Sequence, residues 1–226
     1  IRAVSGVYNI SGDVEIRSSA SQNHQGISGT YPGPTHAAVV VGKVGTSYPG
    51  SIELNIDGGF ISNTGGGDAF VVYDDYLGSE NYSSVSYEIN ANGGMINGDI
   101  LMLTTESNTS SSESISFTLN GSEVQGNIIQ DEGNNATITL KSGYISGDVP
   151  GDVEVPTVYT VYLDYLGASI QYFGDRFTLP SNYPADRDDY IFLGLSLDYN
   201  STTAQYQPGD VVTGVSGDLV VYAVWE

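Results

Sequence analysis

Apolar and polar residues alternate with a period of two in several stretches of the chain. Residues two apart on a β-strand point to the same face, so each stretch predicts a strand with one buried face. No segment carries the 3.6-residue periodicity of an amphipathic helix over three turns, and the predicted fold is therefore all-β. The alternating apolar positions are Ile52, Leu54 and Ile56; Val85, Tyr87 and Ile89; Ile115, Phe117 and Leu119; and Ile138 and Leu140.

Each of these strands is followed by a glycine turn and a short second strand. The unit occupies residues 51–61, 85–96, 114–124 and 136–145, and its second half also occurs at residues 6–16. The turn glycines, roughly 20–35 residues apart, are Gly59, Gly94, Gly121 and Gly143.

A strand–corner–strand unit that repeats at this interval is typical of a solenoid. We expect a short right-handed parallel β-helix over residues 1–155, with each corner glycine at positive φ because a Cβ would clash there. Variable spacing then places loops at residues 73–84 and 106–114. An antiparallel sandwich is the alternative, since hairpins also join alternating strands through glycine turns.

The repeats end near Asp148, and the pattern changes after a stretch that contains Pro150 and Pro156. Residues 149–158 are interpreted as a linker, and residues 157–226 as a second domain. Nine of the 17 tyrosines fall in this last part.

Residues 157–226 resemble the Listeria–Bacteroides repeat, the internalin B-repeat family of small bacterial surface domains. The opening Tyr-x-Val strand is matched at 159–161, a Tyr-x-Phe-x-Gly strand at 190–194, and a Pro-Gly-Asp turn at 208–210. The closing Leu-x-x-Tyr-Ala-x-Trp motif is matched by Leu219, Tyr222, Ala223 and Trp225. Where the family has Trp after the glycine, this chain has Leu195, so one aromatic residue of the family's core is missing.

The resemblance implies a β-grasp-like fold, export, and a place in a bacterial surface protein as a spacer or adhesive module. It implies no catalytic residues.

The charge and composition of the chain restrict its expected partners and cellular location. Six basic and 27 acidic residues give a net charge of −21, which disfavours nucleic acid and anionic membranes as partners. The chain has no cysteine and no apolar run of the roughly 20 residues that cross a membrane. No signal peptide is present and the chain begins at Ile1, so we expect an exported protein, extracellular or on the cell surface, whose signal has been removed.

The remaining motifs predict no catalytic, cofactor-binding or metal-binding residue. His24 and His36 lie in a polar Pro/Gly-rich stretch without the surroundings of a catalytic base. The Gly-Gly-Gly-Asp run at 65–68 leads into a strand and indicates a tight corner rather than a phosphate site. The Asp-x-Asn start at 198–200 lacks the Gly and Glu of a calcium loop. The Gly-Asp steps at Asp13, Asp99 and Asp148 indicate turns, and calcium binding is the alternative interpretation of these aspartates.

These observations favour a non-catalytic, exported bacterial surface module with an adhesion or spacer role, whose partner is a host or bacterial surface protein or glycan. One alternative is a carbohydrate-binding module that uses exposed tyrosines. Another is a small polysaccharide-active enzyme on a β-helix. The candidate tyrosines are Tyr73, Tyr76, Tyr82, Tyr159, Tyr162, Tyr165 and Tyr172.

Overall fold

A computed structural model describes residues 1–3, 5–20, 37–45, 51–76, 86–104, 114–130, 136–180, 184 and 187–226. Within these ranges the regular elements are strands and no helix occurs, so the all-β prediction is confirmed. The chain divides into two compact units: Ile1–Leu140 with Ile145–Glu154, and Lys141–Tyr144 with Val155–Glu226. We refer to them as the first and second units.

The strands of the first unit belong to two sheets. Their bounds are β1 Arg2–Ala3, β2 Gly6–Ile10, β3 Glu15–Ser18, β4 Val39–Gly45, β5 Ile52–Asn63, β6 Phe70–Tyr76, β7 Ser86–Asn97, β8 Ile100–Thr104, β9 Ser114–Gln125, β10 Ile128–Gln130 and β11 Thr137–Ile145, whose residues 141–144 belong to the second unit.

From β3 to β11, successive strands of the first unit belong to different sheets, whereas β2 and β3 belong to the same one. One sheet has the order β1-β4-β6-β8-β10, and the other contains β2, β5, β7, β9 and β11 in that spatial order, with β3 beside β5. The described pairings among β1 to β10 are parallel. The alternative prediction of antiparallel hairpins is therefore wrong for these strands: Phe60, after Gly59, pairs in parallel with Met95, after Gly94, and Met95 pairs in parallel with Glu123, after Gly121.

The period-two pattern follows from this pairing. Leu54 pairs with Ile89 and Ile89 with Phe117, and all three side chains are buried. Because parallel in-register pairing stacks equivalent positions, one apolar residue per repeat extends a continuous buried row.

The four corner glycines have the predicted positive φ angles, 86° at Gly59, 78° at Gly94, 131° at Gly121 and 123° at Gly143. The strands nevertheless continue through the corners: β5, β7 and β9 each run for 12 residues. The ladder between β5 and β7 shifts register next to Asp57, so the corner is a bend within a strand and not the end of one.

The predicted loops can be compared only in part. Tyr73 and Tyr76 lie within β6, so the predicted 73–84 loop was placed too early, and Ser114 already begins β9. Residues 77–85 and 105–113 lie outside the described ranges.

A second kind of strand was not singled out by the alternation. Val71 and Val72 in β6, and Leu101 and Met102 in β8, are consecutive and fully buried. Strands of a parallel sheet that is covered on both faces show such uninterrupted apolar runs instead of alternation.

Polar side chains form ladders on the other side of the buried rows. The Asn55 side chain donates to Oδ1 of Asn9, and the Asn90 side chain donates to Oδ1 of Asn55, both at 3.1 Å. At a corner, both the backbone N–H and the side-chain amide of Asn127 donate to Oδ1 of Asp99, at 2.8 and 2.9 Å, and Oδ1 of Asn127 accepts from the Asp148 N–H at 2.8 Å. Asp99 therefore links its repeat to the next one through its carboxylate, whereas Asp148 is linked to the preceding repeat through its backbone N–H.

The second unit is built from shorter strands around its own core. Val161, Tyr172, Leu195 and Val221 belong to this core. Its strands are β12 Val158–Leu163, β13 Ala168–Phe173, β14 Arg176–Thr178, β15 Phe192–Ser196, β16 Val211–Thr213 and β17 Leu219–Trp225. Four of them have the spatial order β13-β12-β17-β15, in which β12 pairs in parallel with β17 and the other neighbours are antiparallel. The remaining two, β14 and β16, form a separate antiparallel pair.

An aromatic groove as candidate functional site

The second unit contains an open groove of about 450 Å³ with an aromatic lining. This volume lies within the range of about 300–1,000 Å³ that is common for small-molecule sites. We call it the aromatic groove. The residues that line it are Asp164, Tyr165, Pro184, Arg187, Tyr199, Tyr222, Ala223 and Trp225.

One side of the aromatic groove is formed where two parallel strands run side by side. Leu163 at the end of β12 is paired with Val221 of β17, and the Asp164 N–H donates to the Val221 carbonyl at 3.0 Å. This pairing places Asp164 and Tyr165, which follow β12, beside Tyr222 of β17.

Tyr199 enters the groove from a turn after β15. The Asp198 side chain accepts the Asn200 N–H at 2.9 Å, and the Asp198 carbonyl accepts the Ser201 N–H at 3.1 Å, so Tyr199 occupies the tip of the turn. Ser196 of β15 is the partner of Tyr222, which brings the turn to that residue. The Tyr199 and Tyr222 rings meet edge to face with centroids 5.3 Å apart, and Tyr199 remains 76% exposed.

A further part of the groove lining is the guanidinium group of Arg187, which stacks on the rings of Tyr190 and Trp225. The Arg187 guanidinium lies 4.8 Å from the Tyr190 ring centroid and 5.4 Å from that of Trp225. The Tyr190 N–H donates to the Arg187 carbonyl at 3.2 Å, and Asp189 within this turn has a φ of 66°. Backbone hydrogen bonds between Ile191 and Glu226, at 2.9 and 3.0 Å, fix the turn beside the end of β17.

Among the described residues, two side chains of opposite charge line the groove. Asp164 and Arg187 are both exposed, and among the described residues neither charged group has a salt-bridge partner. The Tyr165 hydroxyl is buried and has no hydrogen-bond partner in the described part of the chain, and this burial raises its pKa above the ordinary value. The groove therefore offers aromatic rings together with one exposed acceptor and one exposed donor.

The tyrosines proposed from the sequence reach different places. Tyr165 lines the groove, whereas Tyr172 is buried in the core and donates from its hydroxyl to the Gly217 carbonyl at 2.7 Å. Burial is the main reason that the pKa of Tyr172 is raised. Tyr159 packs on Tyr172 with centroids 5.6 Å apart, and Tyr162 lies on β12, 45% exposed, away from the groove lining.

The other groove residues were not identified as site candidates by the sequence analysis. Tyr222 and Trp225 entered the sequence analysis only as part of the closing motif of the family resemblance. Tyr199 lies in the segment tested as a calcium loop, whose Asp198 serves as a turn former. Arg187 is one of only six basic residues in the chain, and this rarity was the available signal.

The remaining candidates fall elsewhere. His24, His36 and Tyr82 lie outside the described residues, and nothing is described of the Tyr73 and Tyr76 side chains. The 65–68 run is a tight corner, in which Gly66 has a φ of 88° and the Asn63 side chain bonds to the Gly65 N–H and the Asp68 carbonyl.

No group of three or more histidine and acidic side chains that could hold a metal ion is found among the described residues. No helix in the described part of the chain has the length and apolar character needed to cross a membrane.

Comparison with known proteins adds no relative to this picture: no family model matches the sequence, and no curated protein or solved structure matches it either.

Proposed function

We propose that the chain is a non-catalytic, exported bacterial surface module that binds a surface polymer in the aromatic groove of its second unit. The observation that carries this proposal is the groove itself, in which Tyr199 is held by a hydrogen-bonded turn with most of its ring in solvent. An exposed aromatic residue costs solubility, and aromatic residues supply much of the binding energy at recognition sites.

The first unit has the role of a rigid spacer in this proposal. Two sheets of parallel strands, with stacked glycine corners and in-register apolar rows, support a short parallel β-helix. Such a stack gains length by adding repeats, which suits a module that holds a binding unit away from a surface.

The resemblance to the Listeria–Bacteroides repeat supports the surface location. The strand order β13-β12-β17-β15, with the two central strands parallel, is the order expected of a β-grasp-like sheet. Leu195, which replaces the family's Trp, is fully buried, so this position keeps its packing role with a smaller side chain.

The test is adhesion of the fluorescently labelled whole chain to bacterial and host cells. We expect Tyr199→Ala to reduce adhesion about tenfold, because it removes the most exposed ring of the groove. Tyr162→Ala is the matched control: it removes another exposed tyrosine of the same unit, outside the groove lining. Equal adhesion of both variants and the unsubstituted chain would reject the groove as the binding site, and absence of adhesion by the unsubstituted chain would leave only the spacer role.

A further inference from the structure

We propose that the aromatic groove is selective for an electrically neutral glycan, whose hydroxyl groups form hydrogen bonds with Asp164 and Arg187. This inference rests on the proposed function and specifies the class of ligand that the same site takes. It is argued from the charges and rings that face the groove.

The charges of the groove and of the whole chain disfavour strongly ionic ligands. Asp164 and Arg187 contribute one negative and one positive charge to the groove, within a chain of net charge −21. A polyanion such as a uronic acid polymer or a teichoic acid would meet the repulsion of the whole molecule for the gain of one guanidinium. A cation would have to compete with Arg187, which already lies over the Trp225 ring.

A neutral polyol can form hydrogen bonds with either charged group. A carboxylate accepts hydrogen bonds from two neighbouring hydroxyls, and a planar guanidinium donates two parallel bonds to their oxygens. Both groups are exposed and free of salt bridges within the described residues, so binding a sugar would break no described salt bridge.

The rings supply the remaining complementarity. The C–H face of a pyranose is apolar and slightly positive, and it stacks on the negative face of an aromatic ring. Tyr199 and Tyr222 meet in a T-shaped pair, and the 76% exposure of Tyr199 leaves most of its ring accessible to a ligand, so Tyr199 is the stacking platform. Arg187 is held by Tyr190 and Trp225, so its donors are positioned before the ligand arrives.

The test is a glycan array probed with the whole chain, carrying neutral hexose and N-acetylhexosamine chains beside uronic acid and sialylated chains. We expect binding to neutral chains that changes less than twofold between low and high salt, because screening weakens only charge attraction. Asp164→Asn and Arg187→Ala should each weaken it about tenfold, whereas Asp175→Asn, a change at an exposed aspartate outside the groove lining, should leave it unchanged.

The results of the array and adhesion experiments distinguish a failure of the neutral-glycan inference from a failure of the proposed function. Binding to acidic chains, lost in high salt, would overturn the neutral class and leave a functional groove. A silent array together with protease-sensitive, Tyr199-dependent cell adhesion would make the ligand a protein and overturn the inference. Binding to neutral chains that is indifferent to Tyr199→Ala, Asp164→Asn and Arg187→Ala would overturn both proposals.

Discussion

The close stacking of glycine corners in the first unit makes a sharp prediction for Gly94→Ala. Gly94 has a φ of 78°, and a Cβ built there would lie 2.5 Å from the Gly59 carbonyl oxygen and 2.7 Å from the Gly58 carbonyl carbon. These are backbone atoms of the preceding repeat, and they cannot rotate out of the way. The substitution therefore adds a clash to the strain of positive φ.

Gly66→Ala is the matched control, because Gly66 has nearly the same φ, 88°, and a Cβ there would have no neighbour within 4 Å. Left-handed backbone costs a residue with a Cβ about 1–2 kcal/mol, of which a reduced unfolded-state entropy returns about 0.4–1 kcal/mol. We expect Gly66→Ala to lower the free energy of unfolding by about 1 kcal/mol. Gly94→Ala should lower it by a further 1–3 kcal/mol or so, the usual cost of forcing atoms into a packed site.

Urea unfolding followed by far-UV circular dichroism measures this difference. Fluorescence is unsuitable, since the single tryptophan, Trp225, belongs to the second unit. Equal destabilisation by the two substitutions would refute the reasoning, because it would mean that backbone strain alone acts at Gly94 and that the repeats are not stacked at this distance.

Three further predictions concern the polar ladder and the second unit. Asn127→Ala removes side-chain hydrogen bonds to Asp99 and Asp148 and should lower the free energy of unfolding, measured with urea, by about 1–3 kcal/mol. Asn97→Ala, the control at an exposed asparagine, should lower it by less than about 0.5 kcal/mol. Equal losses in the two variants would contradict a structural role for the polar ladder. Gly174→Ala would drive a Cβ into the Lys141 carbonyl and Ser142, and should lower the urea midpoint of Trp225 fluorescence far more than Gly167→Ala, which has open space; a similar loss in both would argue against the packing of residues 141–144 on Gly174. Burial raises the pKa of Tyr165 and Tyr172, so their contribution to stability is present below about pH 10, where the unfolded hydroxyl begins to ionise, and is lost as the pH rises towards the folded values. Tyr165→Phe should accordingly flatten the fall in the Trp225 unfolding midpoint between pH 8 and pH 11, and an unchanged fall would show that its hydroxyl ionises as freely as in the unfolded chain.

The sequence predicted the one-sided strands well, because burial of a single face leaves a period of two at positions such as Leu54 and Phe117. It also predicted the positive φ of Gly59 and Gly94, since glycine recurs where the chain must turn. The doubly buried strands β6 and β8 could not be recognised in this way, because a run such as Val71-Val72 has no alternation and resembles any short apolar segment.

The groove could not be assembled from the sequence because its residues come from separate elements. Asp164, Arg187, Tyr199 and Trp225 are brought together by the pairing of β17 with both β12 and β15, and no local pattern encodes such pairing. Composition gave only the abundance of tyrosine. Tyr172 is buried in the core, whereas Tyr199 is exposed because it occupies the tip of the turn at Asp198. The number of tyrosines in the sequence does not distinguish these two positions.

The most direct test of glycan binding in the aromatic groove is a titration of the labelled whole chain with a neutral oligosaccharide, followed by the Trp225 indole N–H resonance. Because the chain has one tryptophan, this resonance is unambiguous, and the residue lines the groove beside Arg187. The account predicts a saturable shift that disappears in Tyr199→Ala and persists in Tyr162→Ala. An oligosaccharide that binds the chain while leaving this resonance unmoved would contradict it.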